Sequence, residues 1–561
     1  MQLPDFWTII FQKDYGVQPN AVVFSSVISA CSSAATEDPS YCKTALQLLK
    51  EVQDKGLDMS VVGYNAALGA CSHAANWKAA IDLFEEMLER NIVDEVSYAT
   101  VMAACESGEQ WDLVLQYADK MQAAEMHLDA LAVTTILHAC QQKGLAQEAL
   151  QYLEMLKQNP NSSMMRRKTA GWERLGARSP LQGPDSVAYR LAISACARGG
   201  EYEKGIELLG DMKVVTGNID VIAYTAAITG CEYAGEWRKA FSVLEMMQKN
   251  GVAPNEVTMA ATIGACATAC AQGQEVNLAL KKALQVLSVM KKDTNVIDPN
   301  IAVYNAAIRT CGEANRLDIA FRLLQDAENQ GLEPTVVTFG TLMTACERQG
   351  HVEGMNRVFQ MLKAADIQPN EIICGAAISC LRKANQPERA LLLLKKMIKD
   401  GLNPNVATFN TVLIAQTEGR QAKLENALEA FKLMLASNDA KANRQTYVIL
   451  IRAFCANLQP RGAEALLRKM HHEGIKPDVD LYTMTVTAYE KTRQPLRALQ
   501  LMESMENDGY DFYSIKVLNE AFKNAVKLVN AVGKSLSDNN SLDGEEWNER
   551  LNLNPGPEVG P

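Results

Sequence analysis

The residues of this chain with the chemistry to be ligands or nucleophiles are its fourteen cysteines and six histidines. Nine of the cysteines (Cys31, Cys71, Cys105, Cys140, Cys196, Cys231, Cys266, Cys311 and Cys346) recur one to a segment, at the same place late in a helical pattern. None pairs as the Cys-x-x-Cys that a zinc site needs, and Cys266 with Cys270 has no histidine nearby. A small, readily buried thiol at a fixed place in each helix suits close packing instead. The histidines, at 73, 127, 138, 351, 471 and 472, are scattered. No His-Glu-x-x-His, Gly-x-x-x-x-Gly-Lys or Gly-x-Ser-x-Gly motif is present. Nor is there the His-x-Glu with a following Cys-x-x-Cys of a zinc deaminase. The expectation is a binder rather than an enzyme, with no catalytic residue, no metal and no cofactor.

The elements that would position a binding surface are short helices in tandem. Residues 221–255, VIAYTAAITGCEYAGEWRKAFSVLEMMQKNGVAPN, show the unit most clearly. A first pattern, Val221 to Tyr233, carries apolar or small residues at helical spacing. A second, Glu236 to Lys249, places Ala240, Val243, Leu244 and Met247 on one stripe. Gly251 supplies a stop where φ is positive, and Pro254 prevents the helix resuming. A pair of helices this small cannot bury its own stripe and needs copies on both sides. The unit recurs from Ala21, Val61, Glu95, Ala130, Ser186, Val221, Glu256, Ile301, Val336, Glu371, Val406, Arg444 and Val479, mostly in steps of 35 residues. Periods of that size predict an all-α fold, a helical solenoid of about thirteen helix-turn-helix repeats.

Composition agrees with helices and narrows the partners. Aromatics are 6% of the 561 residues, against the enrichment a β-sheet would show. No run of about 18 apolar residues occurs, so no membrane-spanning segment is expected. The net charge of −11 argues against non-specific nucleic-acid binding, although charge can be divided between two faces of a solenoid. Residues 1–20 read as a lone second helix with its Gly16 stop, so the chain opens mid-repeat. No targeting peptide is visible there, and a missing upstream segment, or an enzyme domain within it, fits that opening. Insertions are expected at 32–41, a polar loop; at 158–184, a surface loop; and at 267–276, a lengthened inter-helix turn. The second insertion sets Arg166, Arg167, Lys168, Arg174 and Arg178 against Glu173 alone. Disorder and a flexible phosphate contact, with Trp172 stacking on a base, are both open there. Residues 512–532 should form a capping helix, and 533–561 a disordered acidic tail.

The segments VVGYNAALGAC, VIAYTAAITGC, IAVYNAAIRTC and VVTFGTLMTAC carry a family likeness. So do the Ala-x-x-Leu-Phe-x-x-Met of Ala80 to Met87 and the Gly-x-x-Pro stops at Gly16, Gly251, Gly331, Gly401 and Gly474. Together they resemble the pentatricopeptide repeat family over roughly residues 21–511. The resemblance implies a right-handed superhelical α-solenoid that binds single-stranded RNA along its first helices, one base per repeat. Base identity in that family is set by the fifth and last residues of a repeat. Carried over, Asn65 with Asp94 would favour U, and Thr134 with Asp185 G if the large insertion does not displace Asp185. Thr225 with Asn255 would favour A, Asn410 with Asn443 C, and Thr483 with Asp511 G. Second-position residues Val22, Val62, Val96, Leu131, Val187, Ile222, Val257, Val337 and Ile372 would clamp bases. Arg198, Arg348, Lys383 and Lys491 would meet phosphates. Ala99, Ala260, Gly340, Gly375, Arg190 and Val448 depart from the pattern at the fifth place. Organellar RNA processing, stabilisation or translation by a monomer is implied, in mitochondrion or chloroplast with cytoplasm and nucleus left open, and with protein partners through the tail or the basic insertion. The alternative is a protein-binding α-solenoid scaffold that reads no base.

Overall fold

In a computed structural model, residues 20–126, 128–158, 184–292, 298–418, 423–437, 439–510 and 516–537 are described. Among them are twenty-seven α-helices and no strand. Thirteen are first helices starting at the thirteen residues named above, each followed by a second helix, and one more helix closes the array. Two compact units divide the chain, Met1–Ala314 and Asn315–Pro561. The described part of the first runs from Asn20 to the first helix of the eighth repeat, Ile301–Glu313, and the second begins with that repeat's second helix, Leu317–Asn329.

Within each unit, successive first helices pack side by side and second helices cover them. Being sandwiched, the first helices bury small residues on more than one side. In Val221–Ala234 these include Ala223, Ala227, Gly230 and Cys231. A Cβ on Gly230 would fall 3.1 Å from the Cα of Ala197 in the preceding first helix, which is how closely the backbones approach. Tyr224, near the start of this helix, is fully buried, and its hydroxyl accepts a hydrogen bond of 2.6 Å from Asn250. The second helix, Trp237–Lys249, is amphipathic as the spacing predicts, with Ala240, Val243, Leu244 and Met247 all buried. Gly251 has φ +73°, the left-handed conformation that ends the helix without a Cβ penalty. All nine register cysteines are buried. Burial pushes the thiols of Cys105 and Cys196 up to about 11, and those of Cys140, Cys231, Cys266 and Cys346 up to about 12.

The insertions differ from expectation in instructive ways. Helices Ala21–Ala34 and Ser40–Asp54 take up half of 32–41 and leave a short turn at 35–39. At 267–276 the extra residues do not lengthen the turn alone. Helix Glu256–Ala271 continues through Ala267, Ala269 and Cys270, all buried, and its partner Val276–Lys292 is correspondingly long. Small apolar residues extend a sandwiched helix more readily than they make a solvated loop. The capping helix is Lys516–Ser537, running five residues beyond the expected end at 532. It lies against the last repeat through buried Leu518, Ala521 and Ala525. All but Asn20 of the partial repeat expected at 1–20, the basic insertion at 159–183, Asp511 and the tail beyond 537 lie outside the described residues. No described helix is long and apolar enough to cross a membrane.

Candidate nucleic-acid interface

Each first helix needs an N-cap, and the last residue of the preceding repeat supplies it. Asn20, Ser60, Asp94, Asp129, Asp185, Asp220, Asn255, Asn300, Thr335, Asn370, Asn405, Asn443 and Asp478 hold that place, each in extended conformation. All are Asn, Asp, Ser or Thr, and all but Ser60 and Thr335 accept through a side-chain oxygen from an otherwise orphaned N–H group. Capping commits one side-chain oxygen and points it into the helix. Asp185 accepts from the N–H of Ala188 at 2.8 Å, so the long insertion leaves it in register with the helix that packs on Ala130–Lys143.

The fifth residues reach these caps. Asn65 donates through Nδ2 to Asp94 Oδ1 at 3.0 Å, and its own Oδ1 accepts from Ser97 Oγ at 2.7 Å. Ser97 N–H donates to Asp94 Oδ1 at 2.8 Å, and Asp94 N–H donates back to Ser97 Oγ at 3.2 Å. Partial burial acts to raise the Asp94 carboxyl, but the hydrogen bonds from Ser97 and Asn65 outweigh it and hold the group below its ordinary value. Asn410, Asn443 and Thr446 repeat the arrangement. Asn410 Nδ2 donates to Asn443 Oδ1 at 3.3 Å, and Thr446 Oγ1 donates to Asn410 Oδ1 at 2.8 Å. At Thr225 and Asn255 the link is indirect: Thr258 Oγ1 lies 2.7 Å from Thr225 Oγ1 and donates to Asn255 Oδ1 at 2.8 Å. Thr134 and Thr483 each turn the hydroxyl hydrogen onto their own helix, toward the carbonyls of Ala130 and Val479.

Beside these pairs runs an exposed apolar row. Eight of the nine second-position residues (Val22, Val62, Val96, Leu131, Ile222, Val257, Val337 and Ile372) are at least half exposed, and Val187 is half-buried. Single exposed apolar side chains are ordinary, but recurrence at one helical place is not. In the first unit Ile222 and Val257 flank Thr225 and Asn255 in an open cleft of about 380 Å³ that Arg198 also borders.

Cations are sparser than the apolar row. Arg198 is exposed and donates to Gln142 Oε1 at 2.8 Å. Lys383 lies 3.9 Å from Glu347, while Arg348 and Lys491 are exposed. Two of the departing repeats use the cap differently. Arg190 Nη1 stands 3.5 Å from Asp220 Oδ2, and Arg444 pairs with Asp478, so a guanidinium covers the carboxylate in both. Residues overlooked in the sequence are Ser97, Thr258 and Thr446, third in their repeats and fully buried. The capping-box pattern of Asp94 with Ser97 and Asn443 with Thr446 was the signal available. Among the described residues no group of three or more His, Cys, Asp or Glu could hold a metal.

The model of the pentacotripeptide-repeat region of PRORP matches residues 220–376 and 378–512, more than half of the chain. The chain belongs to the pentatricopeptide repeat family. Further models of the repeat match residues 59–107 and 187–214. A pentatricopeptide repeat-containing protein of Arabidopsis thaliana is 21% identical over 490 residues, covering 85% of this chain and 59% of that protein. Another from the same plant is 25% identical over 189 residues, covering 33% of this chain and 32% of its own length. A small ribosomal subunit protein of Arabidopsis thaliana, mL103, is 26% identical over 38% of this chain and 52% of its own length. The chain thus spans about a third to a half of the first curated relatives it matches. Among solved structures, the maize pentatricopeptide repeat protein PPR10 covers 93% of this chain and 77% of itself, with TM-score 0.53 and 17% identity, and shares the fold.

Proposed function

We propose that this pentatricopeptide repeat chain binds single-stranded RNA sequence-selectively, one base per repeat, and acts by occupying its target. The observation that carries the reading is what capping leaves uncommitted. At Asn65 and Asp94 one amide N–H and one carboxylate oxygen remain, a donor and an acceptor that match a carbonyl oxygen and N3–H of uracil. At Asn410 and Asn443 only amide donors remain, matching N3 and O2 of cytosine. Asn255 likewise offers donors, for N1 of adenine, while Thr225 has turned its hydrogen inward and offers lone pairs to the 6-amino group. Asp185 offers an acceptor for N1–H of guanine. The second-position row supplies apolar surface against the base planes, worth about 1–3 kcal/mol per base.

Occupancy of a single-stranded segment would exclude nucleases and competing pairing, which are the means of RNA stabilisation, processing or translational control. Several relatives are named as mitochondrial or chloroplastic, and we place this chain in one of those organelles on that likeness. A scaffold reading rests on Gly340 and Gly375, which have no side chain to read with, and on Asp220 and Asp478, which are ion-paired. Selection from a pooled single-stranded RNA library at two salt concentrations decides between them. Enrichment of a motif, with a salt slope of roughly four contacts, supports RNA reading. No enrichment and no salt dependence would leave the scaffold.

A further inference from the structure

The buried hydroxyls of Ser97, Thr258 and Thr446 have no need of a base to explain their burial, yet each bridges the two residues proposed to read one. Their bonds decide which way those residues face. An Asn side chain can present oxygen or nitrogen outward, and the two are opposite in hydrogen-bonding sense. The Ser97 hydroxyl lies 2.7 Å from Oδ1 of both Asn65 and Asp94, and the Thr446 hydroxyl 2.8 Å from Asn410 Oδ1 and 3.0 Å from Asn443 Oδ1; the one hydrogen each carries, given to the fifth residue, turns Nδ2 toward the cap. Thr258 secures Oδ1 of Asn255 with both its N–H and its hydroxyl, each at 2.8 Å, leaving only N–H to face outward. Where the third residue is Ala188, beside Thr134 and Asp185, this bridge is absent.

One repeat carries the bridge without a reader. Thr408 donates to Asn405 Oδ1 at 3.0 Å and receives nothing from the fifth place, which is Gly375. A Cβ on Gly375 would stand 3.4 Å from Thr408 Oγ1, an ordinary contact distance. At Gly340, the third residue of the next repeat is Ile373, whose Cγ1 would be 3.9 Å from such a Cβ. We infer that Ser97, Thr258 and Thr446 are positioning residues that set the donor-acceptor sense of the reading pair before them, and that residues 371–405 form a silent reader already equipped with one in Thr408. This inference rests on the proposed RNA reading.

The test uses the full chain, selection from the RNA library, and thermal melting of each variant. Gly375→Asn should gain a cytosine preference at one position, because it completes the set seen at Asn410, Asn443 and Thr446. Gly340→Asn should gain less, and Gly375→Asn combined with Thr408→Val should lose the gain. Thr258→Val should reduce discrimination at its base by roughly 2- to 10-fold, the range of one orienting hydrogen bond, and Thr258→Ser should restore it. Melting separates these effects from misfolding, since a merely structural role would shift stability without changing the base ratio at one position. Equal gains for Gly375→Asn with and without Thr408, or unaltered discrimination in Thr258→Val, would overturn the inference. If the unmodified chain enriches no motif, the RNA reading itself fails, which is a separate result.

Discussion

Asn255→Asp changes one atom in the cleft between Ile222 and Val257 and should reverse what that cleft accepts. Oδ1 of Asn255 is held by the N–H and hydroxyl of Thr258, and a carboxylate would keep both bonds. Asp and Asn cap helices about equally, and negative charge near a helix N-terminus is favoured by about 0.3–1 kcal/mol. The fold should therefore be unaffected or slightly stabilised. What changes is the second atom, from an N–H donor to an anionic acceptor. Adenine N1 then faces lone pairs and loses its hydrogen bond, whereas guanine N1–H gains a charge-assisted one of about 1.5–3 kcal/mol. A swing of that size changes the affinity ratio of the two bases by about 10- to 150-fold. Competitive binding of two RNAs differing only at this base, A against G, reads the ratio directly. Adding Thr225→Asn should move the preference on to U. Retention of A by Asn255→Asp, with unaltered melting, would refute the donor-acceptor argument.

Arg190→Thr removes the guanidinium beside Asp220 and should create a guanine preference at that repeat in the same selection. The cost in melting should be small, since an ion pair of 3.5 Å at a partly exposed site contributes about 0–1 kcal/mol. Gly199→Ala should destabilise by about 1–3 kcal/mol in denaturant titration, because its Cβ would fall 2.5 Å from the carbonyl oxygen of Gly144, which cannot swing away. The thiols of Cys140, Cys231, Cys266 and Cys346, pushed up to about 12, give a pH dependence of definite sign. Unfolded cysteine ionises near about 8.5, so the stability from keeping these groups neutral is complete below that pH and declines as pH rises toward the folded values. Melting temperature should fall from pH 8 to pH 11, and Cys231→Ser together with Cys266→Ser should flatten the decline.

The repeat starts were legible because three independent marks agree in the clearest repeats and at least one recurs in the others. In residues 221–255 these are Tyr224, Cys231 and Gly251, and all three do the physical work their types suggest. The partnership of Asn65 with Asp94 was legible only through likeness to a family, since 29 residues separate them and no periodicity predicts the contact. The third residues were missed for a different reason. A buried Thr258 looks like any small core residue in the pattern, and only its hydrogen bonds distinguish it from Ala188 or Ala223 in the same register. Ala267 to Ala271 continue the helix, where an insertion into a solenoid is expected to lengthen the inter-helix turn. Its residues are small and apolar, and a helix already sandwiched on both sides extends at little cost.

Helix capping favours Asn, Asp, Ser and Thr at the last residue of a repeat whether or not anything is bound. Exchange between Asn and Asp at Asp94, Asn255 or Asn443 is nearly neutral for folding, and a single nucleotide transition in the codon is enough to make it. An array built this way can drift through recognition states without crossing a stability barrier, one repeat at a time. Selection on the partner then acts on a population of chains that all fold.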